Sequence, residues 1–63
     1  MGFKFGDILE NGWAAKENPI RTGIFVRNTI KGFQMTNGKG RFWVINRENH
    51  RLTKIGTMLK GQD

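Results

Sequence analysis

The fold is decided by the stretch Phe33-Gln34-Met35-Thr36-Asn37-Gly38-Lys39-Gly40-Arg41-Phe42-Trp43-Val44-Ile45. Alternating segments lie on both sides of a Gly-rich centre, Asn37-Gly38-Lys39-Gly40. Alternation with a period of two is typical of a half-buried strand. Asn and Gly tolerate the positive φ angles that tight hairpin turns require. The stretch therefore predicts a β-hairpin.

The register of this hairpin sets which side chains face the core. A turn centred on Gly38-Lys39 pairs Met35 with Phe42 and Phe33 with Val44, and a turn centred on Asn37-Gly38 pairs Phe33 with Phe42. Both registers keep one apolar face, whereas a slip of one residue would mix the faces. Residues 23–27 add a strand with the same alternation. We expect an inward face made of Ile24, Val26, Phe33, Met35, Phe42 and Val44, and an outward face made of Phe25, Arg27, Gln34, Arg41, Trp43 and Ile45.

The remaining segments predict two further strands and one long loop. Residues 3–9 place Phe3 and Phe5 two apart, and Gly6-Asp7 then interrupts the pattern as a bulge or tight bend would. Residues 10–22 contain Asn-Gly and Asn-Pro pairs, which favour a long loop. A polar connection over residues 46–51 leads into a short last strand over residues 52–57.

The chain length predicts one domain that spans residues 1–63. Five short strands do not form a stable flat sheet with two open edges, so a strongly bent sheet or small barrel is expected. The order of a strand, a long loop, a three-stranded meander and a last short strand resembles an SH3-like barrel. We therefore expect an all-β, five-stranded SH3-like barrel with a long first loop. An OB-type barrel is the alternative, although it usually needs a longer chain.

Basic residues are concentrated in the second half of the sequence. The chain carries 11 Lys and Arg against 5 Asp and Glu, for a formal net charge of +6. Residues 21–54 hold eight of these cations and only Glu48 as an acid. A surplus this concentrated favours an anionic partner.

The residues that covalent catalysis and metal binding require are scarce. The sequence contains neither Cys nor Ser, and its one histidine, His50, lies in a polar turn. No cluster of potential ligands has the spacing of a metal site. We therefore expect a binding protein with neither enzymatic activity nor a cofactor or metal.

Exposed aromatic rings between arginines would give bases a stacking surface with phosphate partners at its edges. On this basis we predict a nucleic-acid-binding surface on the outward face. Burial of Phe25 or Trp43 in a second small core is the alternative. In the first loop, Trp13 with Lys16 and Arg21 is either a packing anchor or a partner contact. The predicted nucleic-acid-binding residues are Phe25, Arg27, Lys39, Arg41, Trp43, Arg47 and Lys54.

The run from Phe5 to Ala14, continued by Asn18-Pro19 and by Gly23 to Val26, resembles short uncharacterised proteins encoded by phages of Gram-positive bacteria. The resemblance implies a small accessory protein in the cytoplasm of a bacterial host, which contacts nucleic acid or inhibits a host protein. No run of about 20 apolar residues or signal peptide is present, so no membrane contact is expected. A monomer or weak homodimer is expected, and assembly through an edge strand is a third hypothesis.

Overall fold

The computed structural model describes residues 2–58, which form a single antiparallel sheet of five strands. The strands are β1 (Asp7–Asn11), β2 (Thr22–Thr29), β3 (Gly32–Thr36), β4 (Phe42–Asn46) and β5 (Leu52–Thr57). The sheet order is β4-β3-β2-β1-β5, so β1 lies between β2 and β5, and the strands β2, β3 and β4 form the meander. This confirms the all-β prediction.

The sheet is open. Within residues 2–58, β4 pairs only with β3, and β5 pairs only with β1, so these two strands are the edges. The closed barrel expected from the sequence is therefore not part of the confirmed fold, which is a five-stranded antiparallel sheet.

The start of the first strand differs from the prediction. Residues 3–5 lie outside the sheet, and β1 begins only at Asp7. Gly6 adopts a positive φ of 93°, and the Asp7 amide donates to the Lys4 carbonyl at 3.0 Å, which turns the chain just before β1. Phe3 packs against Phe25 with ring centroids 5.9 Å apart. The last strand, Leu52–Thr57, has the predicted bounds.

The hairpin register in the structure differs from both registers predicted from the sequence. Met35 pairs with Trp43, and Phe33 pairs with Ile45. Both pairs are displaced on β4 by one residue from the register of a turn centred on Gly38-Lys39, and by three residues from that of a turn centred on Asn37-Gly38. Because alternate side chains of a strand point to opposite faces, this displacement turns β4 over. The assignment of its faces was therefore wrong.

The cause is the length of the β3–β4 loop, which occupies residues 37–41. The Asn37 amide donates to the Arg41 carbonyl at 3.2 Å, and the Asn37 side-chain Oδ1 accepts from the Lys39 amide at 2.7 Å. Gly38 and Gly40 both have positive φ, 76° and 99°. Two left-handed glycines close a longer loop than the two-residue turn assumed from the sequence.

The core lies on the face opposite to the one predicted for β2 and β4. Phe25 is only 3 % exposed, and the β2–β3 register shifts between Phe25 and Arg27, where a bulge interrupts the alternation. Phe42 and Val44, predicted to be buried, are exposed, and Ile24 and Val26 are only partly buried. The buried apolar residues are Leu9, Phe25, Met35 and Ile45, with Phe3, Phe33, Trp43 and Leu52 packed against them.

Candidate nucleic-acid interface

The outer face of the meander is the surface of β2, β3 and β4 that points away from the core. Two cross-strand rows of paired residues define it. In β4 these rows expose large apolar side chains, because Phe42 is 57 % and Val44 is 48 % exposed. The two residues lie about 7 Å apart along the strand. The rows are Ile24, Thr36 and Phe42, and then Arg27, Gln34 and Val44.

Arg27 lies on β2, at the end of the second row of this outer face. Its Nε donates to the Gln34 Oε1 at 2.8 Å across the β2–β3 pair. This bond orients the guanidinium group and leaves its terminal nitrogens as free donors toward solvent. Arg27 lies on the outward face, as the sequence predicted, and its free nitrogens could bind an anion beside the row that contains Val44.

Lys39 and Arg41 extend from the β3–β4 loop at one end of the outer face. The loop backbone is fixed, because the Thr36 hydroxyl donates to the Arg41 carbonyl at 2.8 Å and the Arg41 amide donates to the Asn37 Oδ1 at 3.2 Å. Both basic side chains are exposed. A rigid loop therefore presents two cations beside Phe42.

Arg47 and Lys31 lie at the other end of the meander. Arg47 follows β4, and one of its terminal nitrogens donates to the Thr29 carbonyl at the end of β2. Lys31 is exposed in the turn between β2 and β3. The outer face therefore has one cation within it, on β2, and further cations beyond both ends of its strands.

No acidic side chain within the meander offsets its positive charge. Residues 22–47 contain five cations and no acidic residue. In the part of the chain that the structure describes, ion pairs join Arg21 to Glu10 at 3.0 Å and Lys54 to Asp7 at 3.4 Å, and both involve residues outside the meander. The uncompensated cations are Arg27, Lys31, Lys39, Arg41 and Arg47.

Two of the predicted stacking residues are not available to a ligand on this face. Phe25 is buried in the core. Trp43 packs against the core and covers Gly23, where a Cβ atom would lie 2.5 Å from the indole Cζ2. The Trp43 Nε1 is buried and has no hydrogen-bond partner within residues 2–58. β2 turns Phe25 inward and the register of β4 turns Trp43 inward, so the structure follows the alternative of burial and not the exposed stacking surface.

Phe42 is the exposed aromatic residue that the sequence analysis placed in the core. It lies on the outer face beside Arg41 and in the same cross-strand row as Ile24. The second glycine of the loop, Gly40, is compatible with this position, because two left-handed residues fit a loop longer than a two-residue turn. The same residues also fit shorter loops.

Lys54 and Arg21 are separated from the other predicted site residues. Lys54 lies on β5, the edge strand farthest from β4 in the sheet. Arg21 precedes β2, pairs with Glu10 and also donates to the Ala14 carbonyl. Both side chains are committed to contacts within the chain.

Trp13 belongs to a different surface, formed by the first loop and the β4–β5 loop. Trp13 is 52 % exposed, and its indole meets the His50 ring edge-to-face with centroids 5.7 Å apart. The Trp13 amide donates to the Asn11 Oδ1 at 2.9 Å, and the same oxygen accepts from the buried Asn49 side chain at 2.7 Å. Lys16 is exposed in the same loop. Trp13 is therefore held in place by polar contacts and is not buried as an anchor.

Asp7 is the one buried carboxylate in the described residues. The Lys4 amide donates to its Oδ2 at 2.9 Å, and the Lys54 ammonium lies 3.4 Å from its Oδ1. The backbone hydrogen bond is the main cause that lowers the pKa of Asp7, and the charge of Lys54 adds to it against the opposing effect of desolvation. Asp7 therefore carries its charge as a structural link between β1 and β5.

The fold and this surface define a small open-sheet protein with a basic outer face. No family model matches the chain, and neither curated proteins nor solved structures gave a match. Residues 2–58 contain no group of three or more acidic or histidine side chains that could hold a metal ion. No helix formed by those residues is long and apolar enough to cross a membrane.

Proposed function

We propose that this protein binds nucleic acid, single-stranded or without sequence preference, through the outer face of the meander. The observation that carries the proposal is the set of five uncompensated cations in and at the ends of a face that exposes Phe42. Phosphate groups would contact the cations, beginning with Arg27 and Arg41. One base would stack on Phe42, a contact that is typically worth about 1–3 kcal/mol and tolerates any base.

The arrangement favours a single strand over a duplex. An open sheet that exposes an aromatic ring between cations suits unstacked bases, which a duplex does not offer. Phosphate contacts position a nucleic acid but do not read its sequence, so little sequence specificity is expected. An SH3-like layout and a role in the cytoplasm of a bacterial host belong to the same proposal, supported by the meander order and by the resemblance to phage proteins.

The proposal is tested by titration of labelled single-stranded DNA and RNA, followed by fluorescence anisotropy at several salt concentrations. The affinity is expected to fall steeply as salt rises, because the cations release counterions from the phosphates. Arg41→Ala is expected to lower the slope of log affinity against log salt by about one. Phe42→Ala is expected to weaken binding about tenfold.

Two matched controls separate this face from the net charge of the protein. Lys16→Ala removes the same charge from an exposed residue of the first loop, and Phe5→Ala removes a 61 % exposed aromatic residue outside the sheet. Both are expected to bind like the unmodified protein. Absence of binding at low salt, or equal losses for Arg41→Ala and Lys16→Ala, would exclude the proposed interface.

The exposed Trp13 favours a second candidate function, the binding of a host protein. Exposed Trp and Arg residues are common at the energetic centres of protein interfaces, and Trp13 lies beside His50. A pull-down from nuclease-treated bacterial lysate tests this candidate. A partner that the unmodified protein retains and Trp13→Ala loses would support it; identical recovery by both would contradict it.

A further inference from the structure

The free edge of β4 exposes backbone hydrogen-bonding groups that play no part in the proposed nucleic-acid interface. The Asn37 amide donates to the Arg41 carbonyl, so these two residues form a hydrogen-bonded pair of the antiparallel ladder. Such pairs alternate along a ladder, and Trp43 and Ile45 therefore direct their backbone groups toward β3. Phe42 and Val44 direct theirs away from it. Within residues 2–58, no strand lies on that side to accept them.

The two edges of the sheet differ in how they are protected against further pairing. Open edges are commonly blocked by charged residues, proline or bulges. On β5, Lys54 lies within the strand, and the register with β1 shifts between Ile8 and Leu9. On β4, the pairing with β3 is unbroken, and residues 42–46 contain neither a charge nor a proline. The β4 edge is therefore competent to add a strand, and β5 is protected.

The charges at the ends of β4 determine which strand could be added. Arg41 immediately precedes β4 and Arg47 immediately follows it, about 20 Å apart along an extended chain. A second copy that paired Val44 with its own Val44 in antiparallel register would place Arg41 opposite Arg47 of the other copy at both ends. Like charges directly opposite one another are destabilising. In this register, the charges at the ends of β4 therefore disfavour self-association.

We infer that β4 is a docking edge for an extended acidic peptide of another protein, which adds a sixth strand to the sheet. The backbone of the peptide pairs with Phe42 and Val44. Apolar or β-branched side chains of the peptide pack on the exposed sides of these residues. Its acidic residues, six positions apart, meet Arg41 and Arg47. In this mode of binding, main-chain hydrogen bonds supply affinity, and the charges at the two ends of β4 select acidic peptides.

The test compares two capped, fluorescently labelled peptides, Glu-Val-Thr-Val-Thr-Val-Glu and the same sequence with Lys in place of both Glu residues. The acidic peptide is expected to bind about five- to tenfold more tightly. Val44→Pro removes the amide that faces the open edge without removing a bond to β3, and it is expected to weaken binding about tenfold. Val44→Ala is the matched control, because it shortens the same side chain and keeps the amide.

Circular dichroism shows whether Val44→Pro folds. If it does not fold, reversal of the charges at the ends of β4 provides a second test. The double variant Arg41→Glu with Arg47→Glu is expected to prefer the Lys peptide. Equal binding of both peptides, or no change of preference in the double variant, would overturn the inference. Binding of oligonucleotide without binding of the acidic peptide would also overturn it, while leaving the proposed function intact. A dimer in light scattering that Val44→Pro abolishes would assign the edge to a second copy.

Discussion

The two halves of the sheet are stabilised in different ways. In β1, β5 and the first loop, polar side chains pair with each other: Asp7 with Lys54, Glu10 with Arg21, and Asn11 with Asn49. In the meander, stability comes from apolar packing on the inner face. Its cations face solvent without acidic partners. The comparison separates charges that hold the fold together from charges that are free for a ligand.

The energies of ion pairs and of apolar burial differ between these two halves. Exposed ion pairs contribute about 0–1 kcal/mol each, because salt and side-chain entropy offset much of the attraction. Burial of a large apolar side chain such as Phe25 or Met35 contributes about 1.5–3 kcal/mol. The meander supplies three of the four buried apolar side chains, Phe25, Met35 and Ile45, and β1 supplies the fourth, Leu9. The meander also carries the repulsion between its unpaired cations. Three predictions test this comparison.

The largest effect is expected at Gly32 of the meander. Gly32 has a φ of 147°, and a Cβ there would overlap the Ile45 carbonyl oxygen and lie 3.2 Å from the Arg47 amide. Both obstacles are backbone atoms that cannot move aside without breaking the β3–β4 ladder. Gly32→Ala is expected to cost about 3 kcal/mol or more in the free energy of unfolding, measured by urea denaturation.

Gly56→Ala is the matched control in the other half. A Cβ at Gly56 would lie 3.7 Å from the Ile8 Cδ1, an ordinary contact. Its effect is expected to stay within about 0.5 kcal/mol. Equal costs at the two glycines would show that the meander is not packed more tightly than the β1–β5 pair.

A smaller effect is expected at Gly23, which Trp43 covers. Gly23→Ala places a methyl group against the indole and is expected to cost about 1–3 kcal/mol. In a Trp43→Phe background the smaller ring leaves room, so the same substitution is expected to cost less. A double-mutant cycle by chemical denaturation measures this coupling. Independent effects of the two substitutions would contradict the contact.

The smallest effect concerns the charged link at Asp7. Because folding lowers the pKa of Asp7 below its ordinary value of 3.8, the carboxylate stabilises the fold fully above that value. This contribution is lost as the pH falls through the lower pKa of the folded state. Asp7→Asn is therefore expected to lower stability at neutral pH and to flatten the loss of stability below about pH 4, measured by thermal unfolding from pH 2 to 7.

Glu17→Gln is the control for this prediction, because it removes the same charge from an exposed loop residue. It is expected to keep the pH profile of the unmodified protein. An Asp7→Asn variant with that unmodified profile would show that Asp7, with its Lys4 amide bond and its Lys54 pair, contributes no pH-dependent stability.

Local sequence signals predicted the type and order of the strands and the face of β3, but not the faces of β4 and of the first part of β2. Alternation and turn residues indicated the hairpin and the last strand, since both depend on neighbours in sequence. The side of β4 that faces the core depends on the length of the loop around Gly38 and Gly40, and several lengths fit the same residues. No comparable local signal marks the bulge after Phe25.

The sequence predicted the charged residues of the candidate site but not its aromatic residue, because only the latter depends on the strand register. Charge and solvation place Arg27, Lys39, Arg41 and Arg47 at the surface in any register, and all four are exposed. The aromatic partner depends on the register. One residue of displacement exchanges Trp43 for Phe42 on the outer face.

The sequence by itself determined an all-β chain with a basic, acid-free central segment. Both properties follow from composition and from contacts between residues close in sequence. Only the tertiary structure decided that Phe25 and Trp43 turn inward and that β4 remains an open edge. Those outcomes depend on hydrogen-bond register between strands, where one residue of displacement reverses every side chain and no local propensity distinguishes the alternatives.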